Sequence, residues 1–178
     1  MMVVAKAQRG FGIIEVLISL LVISVALFGT AKLQALIIGA THNSAQRSMI
    51  ALQAASLAAA MRANDPYWAA TPATAVATLG SGNTTTLNST LAGQTANCAS
   101  AACTPVQMAG YDLQNWLTGL QTLLPGSGAN VSCAAATSVN PVTCTIEVDW
   151  NEKTISANAT TSGSSAATAQ KYQLLVMP

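Results

Sequence analysis

Charged and aromatic side chains are scarce in this sequence. They make up 7% and 4% of its 178 residues, and the formal net charge is +1. A nucleic-acid surface requires clustered Lys and Arg, whereas the seven basic residues of this chain are spread along its length. We therefore expect no nucleic acid among its partners.

Residues suited to catalysis are also few. His42 is the single histidine, and it falls in a segment that we expect to be helical. Glu147 and Asp149 share the outward phase of one strand, a pattern typical of a solvated face. No glycine-rich loop follows a predicted strand in the way that phosphate binding requires. The sequence therefore predicts no catalytic residue, no enzyme activity and no cofactor.

Cysteine is missing from the N-terminal half, and the four cysteines are Cys98, Cys103, Cys133 and Cys144. A zinc site would favour short C-x2-C spacings, which neither pair has. An even number of cysteines behind a membrane segment indicates disulfides formed in an oxidising compartment. We therefore expect disulfides and no metal site.

Residues 8–40 contain a long apolar run with one misplaced acid. Lys6 and Arg9 precede the run, and after Glu15 no charged residue occurs until Lys32. The run is long enough to span a membrane. A carboxylate at the centre of a bilayer costs about 2.5–3.5 kcal/mol, and less near the start of a helix. Glu15 therefore either lies solvated at the level of the head groups or has a partner.

The basic N-terminus allows two interpretations. A secretory signal peptide would be cut after its apolar run at a small-residue site, and no convincing site of that kind follows this run. Alternatively, the cut falls before the run, between Gly10 and Phe11, so that the apolar segment stays with the mature protein.

Residues 10–17, with the sequence Gly-Phe-Gly-Ile-Ile-Glu-Val-Leu, resemble the processing motif of type IV pilins and pseudopilins. The resemblance implies that a prepilin peptidase cuts after Gly10 and methylates the new N-terminal Phe11. It also implies that Glu15 is the assembly residue, which pairs with the Phe11 ammonium group of a neighbouring subunit. A buried charge pair of this kind sets register more than it adds stability.

The predicted domains follow from this motif and from helical periodicity. Residues 1–10 are the leader, residues 11–64 a long spine helix, and residues 65–178 an extracytoplasmic head. About residues 11–38 would lie in the membrane or in the filament core. The helix should end at Asn64-Asp65-Pro66, because a residue before proline disfavours helical geometry.

Two apolar stripes run along the later part of this helix, so we expect it to pack on its own head and on filament neighbours. One stripe comprises Ala45, Met49, Leu52, Ser56 and Ala59, and the other comprises Ile50, Ala54, Leu57 and Met61.

The head is predicted to combine a helix with a small antiparallel sheet. Thr104-Pro105 favours a helix start, and an amphipathic pattern continues to Pro125-Gly126, with Trp116 in the core. Residues 66–104 show no helical or strand-like periodicity of apolar residues. We therefore expect an irregular connection, and any short helix or strand within it cannot be placed. The predicted fold class is α+β and type IV pilin-like.

Alternation of apolar and polar residues predicts the strands. The runs 130–133 and 142–150 form a predicted hairpin in which Cys133 faces Cys144, which leaves Cys98 to pair with Cys103. We expect a turn at Asn151-Glu152, a short strand over residues 153–156, an exposed loop over residues 157–169 and a last strand over residues 171–177.

The C-terminal half is similar to one branch of the pilin family, the minor pilins called PilV, or type IV pilus modification proteins. The similarity rests on residues 61–64, on the run from Cys103-Thr104-Pro105 through Tyr111-Asp112-Leu113 to Trp116, and on the strand that ends at Trp150. Many major pilins have a kinking proline near Lys32, and its absence here also favours a minor subunit.

This resemblance implies a set of partners and a location. The partners are prepilin peptidase, other minor pilins, the major pilin and inner-membrane lipid. The protein would cross the inner membrane once with its head in the periplasm and then occupy the pilus, at its tip.

Two alternatives stay open. One is a pseudopilin of a type II secretion system, although the sequence has no acidic cluster of the kind that binds calcium in some pseudopilins. The other is a membrane-tethered adhesion or DNA-binding module.

Overall fold

The computed structural model describes residues 10, 12–70, 74–80, 84–138, 140–153 and 167–178. The chain forms two compact units, of which the first ends at Thr41 and the second begins at His42.

Helix α1, Ile13–Ala63, runs through both units. Its sequence is rich in Ala and Leu, which are strong helix formers, and it contains no proline. Helix α2, Asp65–Trp68, follows after Asn64 and has a proline in its first turn. The long helix ends at Ala63, next to the predicted stop at Asn64-Asp65-Pro66. The stated reason is wrong, because Asp65 is itself helical and the break lies at Asn64.

The segment after α2 is more regular than its sequence indicates. It contains strand β1, Thr74–Leu79, strand β2, Thr85–Leu87, and the short helix α3, Ser89–Ala92. The two strands pair with each other in antiparallel fashion. These are the short elements that the sequence could not place, and an irregular connection remains between them and α4.

Helix α4, Pro105–Leu123, is the amphipathic helix that the sequence predicts. The side chain of Gln107 caps its N-terminus by accepting a hydrogen bond from the Thr104 N–H at 2.9 Å. Its buried face consists of Ala109, Gly110, Leu113, Trp116, Leu117 and Leu120. Gly126 then makes the turn into the sheet with a φ of 81°, which glycine adopts without steric cost.

The described strands form one five-stranded antiparallel sheet in the order β2-β1-β3-β4-β5. Strand β3 is Gly128–Ala134, β4 is Thr143–Lys153 and β5 is Ala167–Val176. Strands β4 and β5 pair without interruption from Cys144↔Val176 to Lys153↔Ala167.

The predicted turn at Asn151-Glu152 is wrong, because both residues continue β4 and pair with Ala169 and Thr168. The last strand begins at Ala167 rather than at Lys171. Lys153 ends β4 and residues 167–169 belong to β5, so the predicted strand over residues 153–156 and the predicted loop over residues 157–169 are wrong at these positions. Residues 154–166 lie outside the described part.

One hydrophobic core holds the second unit together. It contains the α1 residues Ile50, Ala54, Leu57, Ala58 and Met61, together with the apolar faces of α4 and the sheet. A long N-terminal apolar helix, packed on a small antiparallel sheet with further helices, is the predicted α+β, type IV pilin-like fold class, which is confirmed.

Candidate functional site

The start of α1 presents Glu15 on its first turn. The Glu15 N–H donates to the Gly12 carbonyl at 3.0 Å, and the Glu15 carbonyl accepts from Ser19 Oγ at 2.7 Å. The Glu15 side chain is exposed, and the described residues offer it no ion-pair partner. A carboxylate at this position is favoured by the helix dipole and is open to a group from another molecule.

The α1 residues up to Thr41 expose an almost continuous apolar surface. Ile13 is 83% exposed and Phe28 is 80% exposed, and the first buried residue of the helix is Ile50. Among the described residues, α1 is the one helix with the length and apolar composition to cross a membrane, with a mean hydropathy of 2.5 over its most apolar window. Such a surface needs lipid or other apolar helices around it.

Of the two residues that flank the predicted cleavage site, the structure describes only Gly10. Gly10 is exposed, and a Cβ added to it would meet nothing within 4 Å. Phe11, for which we predict cleavage and methylation, lies outside the described residues.

A polar cluster joins α1 to the end of β4 within the second unit. Arg47 donates from Nε and from Nη2 to the two carboxylate oxygens of Glu152, both at 2.7 Å. The Trp150 indole N–H donates to the same carboxylate at 3.1 Å. The Glu152 side chain is 4% exposed and that of Arg47 57%. A bidentate Arg–carboxylate pair fixes geometry as well as charge. The pair therefore holds α1 in a fixed position against the end of β4.

The same hydrogen bonds shift the pKa values of both Glu152 and Arg47. The hydrogen bonds from Arg47 lower the pKa of Glu152 against the opposing effect of burial. The carboxylate in turn raises the pKa of Arg47. Glu152 is therefore ionised throughout the neutral pH range. The cluster stabilises the contact between α1 and β4, and neither Glu152 nor Arg47 changes its charge near pH 7.

The two apolar stripes of α1 have different surroundings. Ile50, Ala54, Leu57 and Met61 are buried in the core, which confirms the expected packing of that stripe on the head. All members of the other stripe are exposed: Ala45, Met49, Leu52, Ser56 and Ala59. Leu52 is 71% exposed.

Trp116 of α4 lies in the core, as the sequence predicts. It is 7% exposed, and its indole N–H donates to the carbonyl of Gln53 on α1 at 2.8 Å. Because a buried indole N–H needs an acceptor, this bond fixes α4 against α1.

The cysteines lie in two bonded pairs. Cys98 is joined to Cys103 across a short exposed loop, and Cys133 is joined to Cys144 across the β3–β4 ladder, where they are register partners. These are the pairs that the sequence predicts, and peptide mapping is their direct experimental test.

The outer face of the sheet carries a second charged group. Lys171 Nζ lies 2.6 Å from Glu147 Oε1, and Gln173 donates to the other oxygen of Glu147. The bonds from Lys171 and Gln173 lower the pKa of Glu147. Within the described residues, no three His, Cys, Asp or Glu side chains are grouped closely enough to hold a metal ion.

Comparison with protein families identifies the N-terminal segment. Residues 5–31 match the model of the prokaryotic N-terminal methylation motif. No curated protein and no solved structure matches the chain. The matched residues contain Gly10, Phe11 and Glu15.

The fold and this motif together define a class. The chain carries a type IV pilin-like prepilin signal, the kind of signal that prepilin peptidase processes, at the head of an apolar helix packed on a small antiparallel sheet. Signal and helix together indicate anchoring in a membrane.

The Arg47–Glu152–Trp150 cluster is not foreseen in the sequence. One signal was present: Glu152 falls on the same alternating phase as Ile146, Val148 and Trp150, so that extending β4 by two residues would have placed an acid on the buried face. Nothing in the sequence indicates Arg47 as its partner, because the two residues are 105 positions apart.

Proposed function

We propose that this chain is a minor subunit of a type IV pilus, of the PilV kind, and that it acts in priming or assembling the filament without enzymatic activity. The proposal rests on the methylation motif over residues 5–31, with Glu15 on the first turn of an exposed apolar helix. The proposed domains are the leader 1–10, the spine helix 11–64 and the head 65–178. The proposed partners are prepilin peptidase, other minor pilins, the major pilin and inner-membrane lipid.

Cleavage would create the charge that assembly needs. When the peptidase cuts after Gly10, Phe11 gains an ammonium group that an uncut chain does not have at this position. The Glu15 carboxylate of one subunit attracts the Phe11 ammonium group of the next in a surrounding of low dielectric constant. The exposed apolar residues of α1 then exchange lipid contacts for contacts with other helices. The subunit moves in this way from the inner membrane, where its head lies in the periplasm, to the pilus and its tip.

Mass spectrometry of the mature protein tests the processing step. We expect a chain that begins at Phe11 and carries one extra methyl group at its N-terminus. A Gly10→Val variant should keep its leader, because the resemblance implies that the peptidase cuts after this glycine. A mature wild-type protein that still contains Met1 would refute the prepilin interpretation.

Replacing Glu15→Leu tests the assembly step separately. The variant should still enter the membrane, since it lacks the cost of a carboxylate there. Its amount in sheared pili relative to membranes should fall by about tenfold, which corresponds to roughly 1.4 kcal/mol. Glu147→Gln on the head is the matched control and should be incorporated like wild type. Normal incorporation of Glu15→Leu would contradict the assembly role.

A type II secretion pseudopilin shares the N-terminal motif, so the two functions need a direct comparison. Deletion of the gene should remove or reduce surface pili and leave enzyme secretion unchanged. Loss of secreted enzymes with normal piliation would assign the chain to secretion instead. If neither changes, a tethered adhesion or DNA-binding module becomes the better interpretation.

A further inference from the structure

Strand β5 forms one edge of the sheet. Among the described strands it pairs only with β4, over an uninterrupted register from Cys144↔Val176 to Lys153↔Ala167. An edge strand presents a row of backbone N–H and C=O groups to which another chain can add, and natural proteins block such edges with short strands, bulges, proline or charge. The opposite edge, β2, is only three residues long, whereas β5 has ten residues with neither a bulge nor a proline.

The charge on β5 gives this edge little protection. Lys171 is the one charged residue of the strand, and its Nζ lies 2.6 Å from Glu147 Oε1 on the outer face of the sheet. The cation is therefore bound to a side chain of β4 and does not stand free beside the edge. The backbone of β5 is open to another strand.

The disulfide between β3 and β4 shows which backbone groups face the free edge. In an antiparallel ladder, pairs that exchange no hydrogen bonds have Cα atoms about 4.5 Å apart, and hydrogen-bonded pairs about 5.5 Å apart. The Cα atoms of Cys133 and Cys144 are 3.9 Å apart, so the N–H and C=O of Cys144 point away from β3 and toward Val176, its register partner on β5. Alternation along the strand then directs the backbone groups of every second residue of β5 to the free edge: Ala169, Lys171, Gln173 and Leu175.

The side chains of β5 favour an apolar strand at this edge. Tyr172 and Leu174 pack against the core but are only partly buried, since the described sheet ends at β5. On the outer face Leu175 is 65% exposed, and Met177, just after the strand, is 61% exposed. An added strand with apolar residues at alternate positions would cover Tyr172 and Leu174 and extend the core at this end.

We propose that an extended segment of another protein adds to β5 as a further strand of the sheet. Its backbone bonds to the edge groups of Lys171 and Gln173, and its apolar side chains lie beside Tyr172 and Leu174. The proposal goes beyond the assembly role, because it assigns an interaction to the head and does not depend on cleavage or on Glu15.

A second copy of this chain does not fit the edge as well. Two copies would pair their β5 strands about a two-fold axis perpendicular to the sheet, which is the symmetry of two identical antiparallel strands. Such an axis reverses every direction in the plane of the sheet, including that of the α1 residues that pack on it. Two subunits anchored in one membrane by the same helix need α1 to run the same way.

Peptides with one blocked edge test the proposal. The probe is a short acetylated peptide of alternating threonine and valine whose valine nitrogens are methylated, so that only the threonine N–H groups can bond. Its counterpart is methylated on threonine instead and would have to turn its threonines toward Tyr172 and Leu174. With the full-length chain in detergent, fluorescence anisotropy should show saturable binding of the probe and weaker binding of the counterpart. No binding of the probe, or equal affinities, would overturn the proposal.

Amide hydrogen exchange followed by NMR locates the added strand. In the free chain, the N–H groups of Lys171, Gln173 and Leu175 should exchange faster than those of Tyr172 and Leu174, which bond to β4. The probe should slow exchange at the first three. Protection of these three in the free chain would show that the edge is already covered, by a second copy if the chain sediments as a dimer, and would refute the proposal.

Two glutamine-to-proline variants separate the two phases of β5. Gln173→Pro removes an N–H at the free edge and should weaken probe binding by about tenfold, the upper end for loss of one hydrogen bond. Gln170→Pro removes an N–H that bonds to β4, so it should lower Tm more than Gln173→Pro does. Gln173→Ala keeps the backbone N–H and is the matched control, which should bind like wild type. Unchanged binding in Gln173→Pro, or an equal fall in Tm in both proline variants, would contradict the assignment of the edge.

Discussion

At the scale of single residues, Glu152 carries the most consequential polar contacts of the head. Its carboxylate accepts hydrogen bonds from both Arg47 and Trp150 while it is almost fully buried. Replacing Glu152→Ala leaves the buried indole N–H of Trp150 without its acceptor. We expect the free energy of unfolding to fall by about 1–3 kcal/mol, the usual cost of an unsatisfied buried donor. Chemical denaturation followed by tryptophan fluorescence measures the change.

Glu147 provides the control for that experiment. It also pairs with a basic side chain, but on the outer face of the sheet, where Lys171 is 56% exposed and solvent screens the pair. Glu147→Ala should therefore cost less stability than Glu152→Ala. Equal losses in the two variants would show that burial of Glu152 adds nothing to its contribution.

The same carboxylate should make stability depend on acid. The folded-state pKa of Glu152 is lowered, so the unfolded state takes up a proton before the folded state does. Its contribution is fully present above the unfolded pKa of about 4.3 and is lost as the pH falls through the lower, folded pKa. The stability difference between wild type and Glu152→Gln should be constant at neutral pH and shrink below about pH 4. A difference that grows on acidification would have the wrong sign and contradict the pair.

At the scale of secondary-structure elements, the disulfides are the strongest local restraints. The Cys133–Cys144 bond closes a loop with a sequence separation of 11 and lies in the buried part of the β3–β4 ladder. The Cys98–Cys103 bond closes a separation of 5 in a largely exposed loop. From loop entropy alone, we expect losses of about 3 and about 2 kcal/mol when each is removed.

Paired Ala variants with thermal unfolding test this order, and non-reducing peptide mapping tests the pairing. Removing Cys133 and Cys144 together should lower Tm more than removing Cys98 and Cys103 together. Crossed links in the peptide map, or free thiols, would contradict the arrangement.

The elements also show where sequence reasoning succeeds. Helix α4 is predictable because its signals are local: a Thr-Pro start, leucines at helical spacing and a Pro-Gly end. Strands β1 and β2 are missed because the Thr- and Ala-rich segment that contains them has no clear alternation, so their pairing decides their structure. The end of β4 is misread as a turn because the buried Glu152 is stabilised by Arg47, and such a distant partner leaves no trace in a local pattern.

The candidate site also has a part that the sequence predicts and a part that it does not. Gly10, Phe11 and Glu15 are recognisable because a short motif holds them at fixed spacing, and the family match covers them. The Arg47–Glu152–Trp150 cluster is not recognisable, since its members come from α1 and β4, which meet only after folding.

At the scale of the whole molecule, the two units differ in what they require from their surroundings. All buried core residues of the described part of the chain, and all four cysteines, lie after His42. The residues up to Thr41 instead expose aliphatic side chains. We therefore expect a fragment that begins at His42 to be a folded, disulfide-bonded monomer without detergent, while the full chain remains with membranes. Gel filtration, near-UV circular dichroism and membrane extraction check both statements.

An aggregated fragment, or one without a near-UV signal, would show that the head needs the preceding residues in order to fold. A full chain that is recovered without detergent would contradict membrane anchoring. The two outcomes are independent, because one concerns the core of the head and the other the surface of the N-terminal helix.

The Arg47–Glu152 bond also has a mechanical consequence. Arg47 lies five residues after His42, whereas the buried apolar contacts of α1 begin at Ile50. A pulling force applied to the chain ahead of His42 therefore reaches this ionic bond before it reaches those contacts. Two parallel, directional bonds to one carboxylate share the load and hold the start of the core in place under tension. We therefore expect the residues after His42 to stay folded when the N-terminal helix is pulled.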